Sequence, residues 1–269
     1  MCTLVLLVGV HPDYPVLVAA NRDEFYAREA AGPAALLEST HAFGGRDLRA
    51  GGTWLGVNAH GLFVGLTNQR TWRPPAQPRR SRGDVTLGVL ACRTPDEAHA
   101  YLRSLDAREY NDFNLVYGDA RGLRCAYARS DAAALRFEDV PRGVHVLTND
   151  VLDTALLPKA TRARALVDTQ ALAHAQRGAP FASLVAPLSA VLSSHELPPL
   201  DTAPRPPPGS PFTRELARDL DAVCVHTPIY GTCSATLLAL APAGVAHYHF
   251  APGPPCTTPF EDLGALLRG

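Results

Sequence analysis

A chain of 269 residues that is 46% hydrophobic and 19% charged can bury a large core and is a folded protein, not a disordered one. Its formal net charge of -1 argues against general affinity for nucleic acid or for an anionic membrane surface, so no nucleic-acid partner is expected. No apolar segment approaches the roughly 20 residues that span a bilayer, no basic leader opens the chain, and the six cysteines lack CxxC pairs, so a cytoplasmic protein without stable membrane insertion is expected.

Leu4 to Val8 and Val16 to Ala20 are apolar runs joined by the turn-rich His11-Pro12-Asp13-Tyr14-Pro15, which predicts an antiparallel hairpin. Thr53 to Asn58 and Leu62 to Asn68, around Ala59-His60-Gly61, predict a second. A proline-rich polar stretch from Gln69 to Gly83 precedes a helix expected over Val85 to Cys92. Another begins after Thr94, where Pro95 and Asp96-Glu97 are N-terminal signals. Asn114 to Gly118, Leu123 to Ala128 and Val144 to Thr148 predict strands. Pro158 to His174 predicts a helix, and Phe181 to Ser193 a second one interrupted by Pro187. After a proline-rich loop from 197 to 212, Ala222 to His226, Ala235 to Leu240 and Val245 to Phe250 predict three closing strands. There is no internal repeat or domain boundary, so residues 1–269 read as one domain. Strands at both ends with helices between them point to α+β layers.

Cys2 directly follows the initiator methionine and opens the first apolar run. Aminopeptidase removal of Met1, favoured by a small second residue, would leave one residue carrying both a thiol and a free α-amine. That pair is sufficient for proton transfer in acyl transfer. The predicted hairpin holds this terminus inside a sheet, as positioning for catalysis requires. In Asn21-Arg22-Asp23-Glu24, extended geometry sends Asn21 and Asp23 to one face and Arg22 and Glu24 to the other. A carboxylate beside the terminus could orient the amine. Asn68 and Asn149 each end an apolar strand, and a carboxamide N–H suits an oxyanion.

Arg70, Arg73, Arg79, Arg80 and Arg82 cluster after Asn68 and could receive an anionic group, although such runs are commonly solvated loops. Asn21, Arg22, Arg70 and Arg82 are the substrate-binding candidates. The basic residues are almost all arginine, with Lys159 the only lysine, which reads as compositional bias. His247-Tyr248-His249 and Cys224-Val225-His226 contain residue types that suit zinc, but no recognised structural spacing, so no metal is expected. No Walker loop or dinucleotide fingerprint is present, and no cofactor is expected.

Met1-Cys2-Thr3, Asn21-Arg22-Asp23-Glu24-Phe25, Gly51-Gly52-Thr53-Trp54-Leu55-Gly56 and Leu66-Thr67-Asn68 resemble the NRDE, or transport and Golgi organisation protein 2, family. Ser81-Arg82-Gly83, Phe113-Asn114-Leu115, Leu147-Thr148-Asn149 and Tyr230-Gly231-Thr232 match its later blocks in order. The resemblance implies kinship with N-terminal nucleophile hydrolases of the penicillin V acylase and bile-salt hydrolase branch. It implies a four-layer αββα sandwich of mostly antiparallel sheets, with Cys2 heading a central strand. Asp23 would steady the amine, and Asn68 and Asn149 would match the branch's asparagines, giving Cys2, Asp23, Asn68 and Asn149 as catalytic candidates. Two departures stand out. Arg22 directly precedes Asp23 instead of lying three residues before it, so it need not face the thiol, and Cys233 occupies a position that is commonly arginine. The implied activity is hydrolysis of a linear amide through a Cys2 thioester. The alternative is a carrier of a hydrophobic ligand such as haem or an acyl lipid, because eukaryotic relatives are associated with Golgi organisation, lipid handling and haem traffic.

Overall fold

In the computed structural model, which describes residues 2–72 and 79–267, the first apolar runs pair as expected. β1 (Thr3–Val8) and β2 (Val16–Phe25) are antiparallel, with Leu4 opposite Ala20 and Leu6 opposite Val18. Every residue of β1 is buried because both of its faces are covered. Leu4, Leu6 and Val8 meet a second sheet, whereas Val5 and Leu7 meet helices. A strand covered twice reads as an unbroken apolar run, not as an alternating one. Its other edge pairs with β10 (Gly143–Leu147). With β11 (Tyr230–Ala241), β12 (Gly244–Ala251) and the short β13 (Glu261–Asp262), the six-stranded order is β10-β1-β2-β11-β12-β13. The strand that Cys2 leads therefore has a neighbour on each side.

The second sheet is a seven-stranded antiparallel meander of β3 (Ala30–Leu37), β4 (Ala42–Asp47), β5 (Leu55–Val57), β6 (Phe63–Asn68), β7 (Phe113–Asp119), β8 (Gly122–Ala128) and β9 (Arg136–Val140). The sheets face each other through Leu6 and Val18 from one side and Val57, Phe63 and Val116 from the other. α1 (Arg82–Leu90) and α2 (Pro95–Arg103) cover the second sheet, with Val85, Val89 and Leu102 against Val64 and Leu115. α3 (Pro158–Gln170), α4 (Leu172–Gln176) and α5 (Phe181–Leu192) cover the first, with Val167, Leu184 and Leu188 against Val5, Leu7 and Leu17. The layers run αββα, and the fold class is α+β as the resemblance implies. The start of α2 has the expected cap, in which the Thr94 hydroxyl accepts the Glu97 N–H at 3.2 Å and Pro95 follows.

Several elements depart from expectation. The helix predicted over Pro158 to His174 breaks at Ala171 into α3 and α4. Pro187 does not interrupt α5. An internal proline costs about 3 kcal/mol, and burial of Phe181, Leu184, Leu188 and Val191, each contributing roughly 1.5–3 kcal/mol, outweighs it. Ala222 to His226 forms no strand and joins β11 through a single His226–Gly231 bridge, because its amides are taken elsewhere: Cys224 N–H donates to the Ser194 carbonyl and Val225 N–H to the Thr232 hydroxyl. β3, β4, β9 and β13 were not expected; in β3, Ala-Ala-Gly-Pro-Ala-Ala lacks β-formers and takes its conformation from pairing at a sheet edge. Among the described residues no helix is long and apolar enough to cross a membrane.

Candidate active site

Alternation along β1 places Cys2 on the side of Leu4, facing the second sheet, where it packs with Trp54 against the inter-sheet core. The register Thr3–Asn21 brings Arg22 to the same end of the sheet. Arg22 stacks its guanidinium 4.4 Å over the Trp54 ring. Cys2, Arg22 and Trp54 line a cavity of about 280 Å³, which Asn68 at the end of β6 and Arg82 at the start of α1 also enter. Arg22 thus faces the thiol's cavity, although its displaced position in the sequence does not require this.

Two glycines bring Arg82 there. A Cβ on Gly52 would lie 2.5 Å from the backbone carbon of Gly83, so only glycine lets the first turn of α1 lie flush against the segment leading to Trp54. The Gly51-Gly52-Thr53-Trp54 and Ser81-Arg82-Gly83 blocks are thus two sides of one close contact. Burial pushes the Cys2 thiol above its ordinary pKa, and the Asp23 carboxylate adds to this; the positive amino terminus, the Asp23 N–H and Arg22 act against it. Burial and the nearby Arg28 lower the pKa of Arg82, whose guanidinium remains charged near neutrality. Asn68 presents a carboxamide with no hydrogen-bond partner among the described residues.

The opposite face of β2 is tied to the helix layer. Asn21 donates to the carbonyls of Leu192 at 2.8 Å and Val223 at 2.9 Å, so its amide is a latch beneath the site and does not reach the arginine-lined cavity. Asp23, which also borders the Cys2 cavity, accepts the Thr232 hydroxyl at 2.7 Å and lies 3.4 Å from Lys159 Nζ, in an ion pair whose lysine is 1% and aspartate 0% exposed. The Tyr230 hydroxyl donates to the Asp23 carbonyl at 2.7 Å. Tyr230-Gly231-Thr232 is thus a clamp on Asp23, and a Cβ on Gly231 would meet the Val225 carbonyl at 2.5 Å. Cys233 is the extra residue of a bulge in the β2–β11 pairing, its thiol donating to the Gly231 carbonyl at 3.4 Å.

Lys159, the buried partner of Asp23, is a candidate that sequence reasoning did not single out. The signal was present: one lysine in a chain whose other basic residues are arginine. Its backbone N–H is held at 2.9 Å by Asp221, which also accepts from Arg162.

Asn149 and Arg70 lie beyond Asn68 and do not line the Cys2 cavity. Asn149 donates its side-chain N–H to the Asn68 carbonyl at 2.7 Å, and Arg70 donates its backbone N–H to the Asn149 carbonyl at 2.8 Å. Asn114 ties the region together, donating to Thr67 and to the Asp150 carbonyl. Arg70 borders a second, more apolar cleft of about 280 Å³, which shares Glu24 and Asn68 with the first cavity. Arg79 and Arg80 sit exposed at the rim of the Cys2 cavity, while Arg73 lies outside the described residues.

His247 and His249 are packing groups, His247 stacking on Phe181 at 4.5 Å. Cys224 and His226 instead meet His195 and Cys256, with one potential ligand atom from each within 4.8 Å of the others.

The family model for Transport and Golgi organisation 2 matches residues 1–250. The chain belongs to this family. It is 30% identical over 243 residues to the transport and Golgi organization protein 2 homolog of Bos taurus, covering 84% of this chain and 82% of that one. The Homo sapiens homolog is also 30% identical, over 246 residues with the same coverages. Among solved structures, the fold is similar to a variant of conjugated bile acid hydrolase from Clostridium perfringens (TM-score 0.58, 14% identity, 99% of this chain and 94% of that one). It is also similar to the Caenorhabditis elegans ortholog of N-acylethanolamine-hydrolyzing acid amidase (TM-score 0.51, 11% identity, 88% and 92%). At these identities the likeness shows the fold, which is of the N-terminal nucleophile hydrolase type.

Proposed function

We propose that this chain, freed of Met1, is an amidohydrolase that cleaves linear amide, non-peptide C–N bonds through a thioester on Cys2. The observation that carries the reading is the meeting of the Cys2 thiol, the Asn68 carboxamide and the Arg22 and Arg82 charges in one cavity, backed by the buried Asp23. An α-amine titrates near 7.7–8.0 and a thiol near 8.5, so the amine of the processed terminus is a matched base for its own sulfur. The sulfur attacks the amide carbon as its proton passes to the amine. Asn68 donates to the oxyanion, and Asn149 holds Asn68 through its backbone. The ammonium then protonates the leaving nitrogen, the C–N bond breaks, and water releases the acid from sulfur. Asp23 orients the amine, while Lys159 offsets part of its charge, so the amine is not locked in the protonated form.

Two neighbouring spaces suggest the substrate class. Arg22 and Arg82 suit a carboxylate, and the adjoining cleft, bordered by Phe25, Trp72, Phe212, Leu216, Ile229 and Tyr230, suits an apolar acyl group. Acylated amino compounds fit both. The names of the two structural relatives, a conjugated bile acid hydrolase and an N-acylethanolamine-hydrolyzing amidase, support an amide of an apolar acid. The same cleft also favours a second reading, a carrier of haem or an acyl lipid on a non-catalytic scaffold.

The test is intact-protein mass spectrometry after exposure to an activated ester of a fatty acid. The expected result is a chain lacking Met1 with one acyl group on Cys2, lost again in water and absent from Cys2→Ala. A retained Met1 overturns the reading, since the base is then tied up in a peptide bond. An inert thiol with saturable haem or fatty-acid binding overturns it in favour of the carrier.

A further inference from the structure

Four side chains from three distant parts of the chain converge away from the Cys2 cavity. His195 follows α5, Cys224 and His226 lie in the irregular segment before β11, and Cys256 lies in the loop between β12 and β13. The two sulfurs are 3.7 Å apart, His226 Nε2 lies 3.7 Å from Cys224 Sγ and 3.3 Å from Cys256 Sγ, and one potential ligand atom from each of the four residues falls within 4.8 Å of the rest. Zinc–sulfur bonds of about 2.3 Å and zinc–nitrogen bonds of about 2.0–2.1 Å give tetrahedral edges of about 3.8 Å between sulfurs and about 3.6 Å between sulfur and nitrogen. The three edges among Cys224, His226 and Cys256 match these lengths to within about 0.3 Å, and the His195 nitrogen lies within 4.8 Å of them.

We propose that His195, Cys224, His226 and Cys256 form a structural zinc site of the Cys₂His₂ type. Sequence spacing concealed it, because only Cys224 and His226 are neighbours, sharing one side of an extended segment as residues i and i+2. The other two ligands arrive through the packing of α5 and the turn after β12. His195 Nδ1 lies 3.0 Å from the Cys224 carbonyl, a hydrogen bond of the kind that orients a metal-bound imidazole. Binding replaces two S–H bonds with two Zn–S bonds and releases two protons, leaving a neutral centre of two thiolates, two imidazoles and one dication. His195 and His226 are exposed while Cys224 is buried, so the metal has a path in from solvent and an anchor inside.

The site stands directly behind Asp23. Val225, between two of the ligands, donates its N–H to Thr232 Oγ1 at 2.9 Å, and that hydroxyl donates to Asp23 at 2.7 Å. Asn21 reaches the Val223 carbonyl in the same segment. Zinc would therefore fasten the irregular segment on which both polar residues of this face of β2 depend.

The experiment titrates zinc alone into reduced, chelator-stripped full-length protein, with a chromophoric chelator as competitor, and repeats the titration with cobalt. The expected result is one tightly held equivalent, a cobalt spectrum of the tetrahedral thiolate type, and a higher unfolding temperature with metal than without. Cys224→Ser and Cys256→Ser should each weaken binding by more than the roughly 10–100-fold that losing a partner behind a ligand costs, while Cys92→Ser, at a thiol elsewhere in the fold, should bind as the parent does. Should the cysteine variants not fold, the wild-type cobalt spectrum and stoichiometry decide the matter. Sub-stoichiometric uptake, an octahedral cobalt spectrum, or a Cys224–Cys256 disulfide whose reduction restores no zinc binding would each overturn the proposal.

Discussion

On one face of β2, Asn21 and Asp23 are bonded to α5, β11 and Lys159; on the other, Arg22 leans over Trp54 into a cavity. Adjacent residues of one strand are thus put to opposite uses. The helix-facing side spends its polar groups on fixing the backbone, which removes the freedom that would blur the geometry of the cavity-facing side. Charge at a working site is useful only where the chain beneath it cannot shift.

Substitutions on the two faces should therefore fail differently, and the largest effect belongs to the closed face. Lys159→Met breaks a buried ion pair while leaving Asp23 its other partners, and should cost about 3 kcal/mol, the low end for such pairs, in urea unfolding; adding Asp23→Asn should recover part of the loss. On the open face, Asn68→Ala should lower kcat by about 10²–10³ with little change in unfolding, as loss of an oxyanion donor does. A comparable fall in stability would place Asn68 with the fixing groups instead. Arg22→Leu should raise KM for a carboxylate-bearing amide about tenfold, near the ~1.5 kcal/mol of a charge-assisted hydrogen bond, and leave an uncharged analogue nearly unaffected.

The smallest effect lies at the rim. Burial alone would raise the Asp47 carboxyl, but hydrogen bonds from Arg28 and from the Ala50 and Arg49 N–H groups hold its pKa below the ordinary value. A depressed carboxylate pKa gives stability that is present above the unfolded value, about 3.9, and is lost as pH falls through the folded one. Asp47→Asn should therefore be less stable than the parent at neutral pH, by about 1 kcal/mol or less for a pair still partly open to solvent screening. The two unfolding curves should converge in acid.

The first hairpin was readable because its strands are buried on both sides, and the start of α2 because Thr94 and Pro95 act locally. β3 was not, since its conformation comes from a neighbouring strand and not from its own residues. Cys2, Asp23 and Asn68 stood out as polar residues at the ends of apolar runs, reinforced by the family blocks. The separation of Asn21 from Arg22 followed from strand alternation. Asn149 reads from sequence like Asn68, yet the structure turns its amide to a backbone carbonyl, a difference that depends on where β6 and β10 end relative to each other. Lys159 lies more than a hundred residues from its partner, and no local pattern marks a helix residue that will be buried against a distant strand.

Seclusion of the one lysine also simplifies the protein's surface chemistry. With that ammonium 1% exposed, an acylating reagent applied to the native fold finds no exposed lysine to modify. An acyl group taken up by Cys2 would thus be read against a background free of lysine adducts.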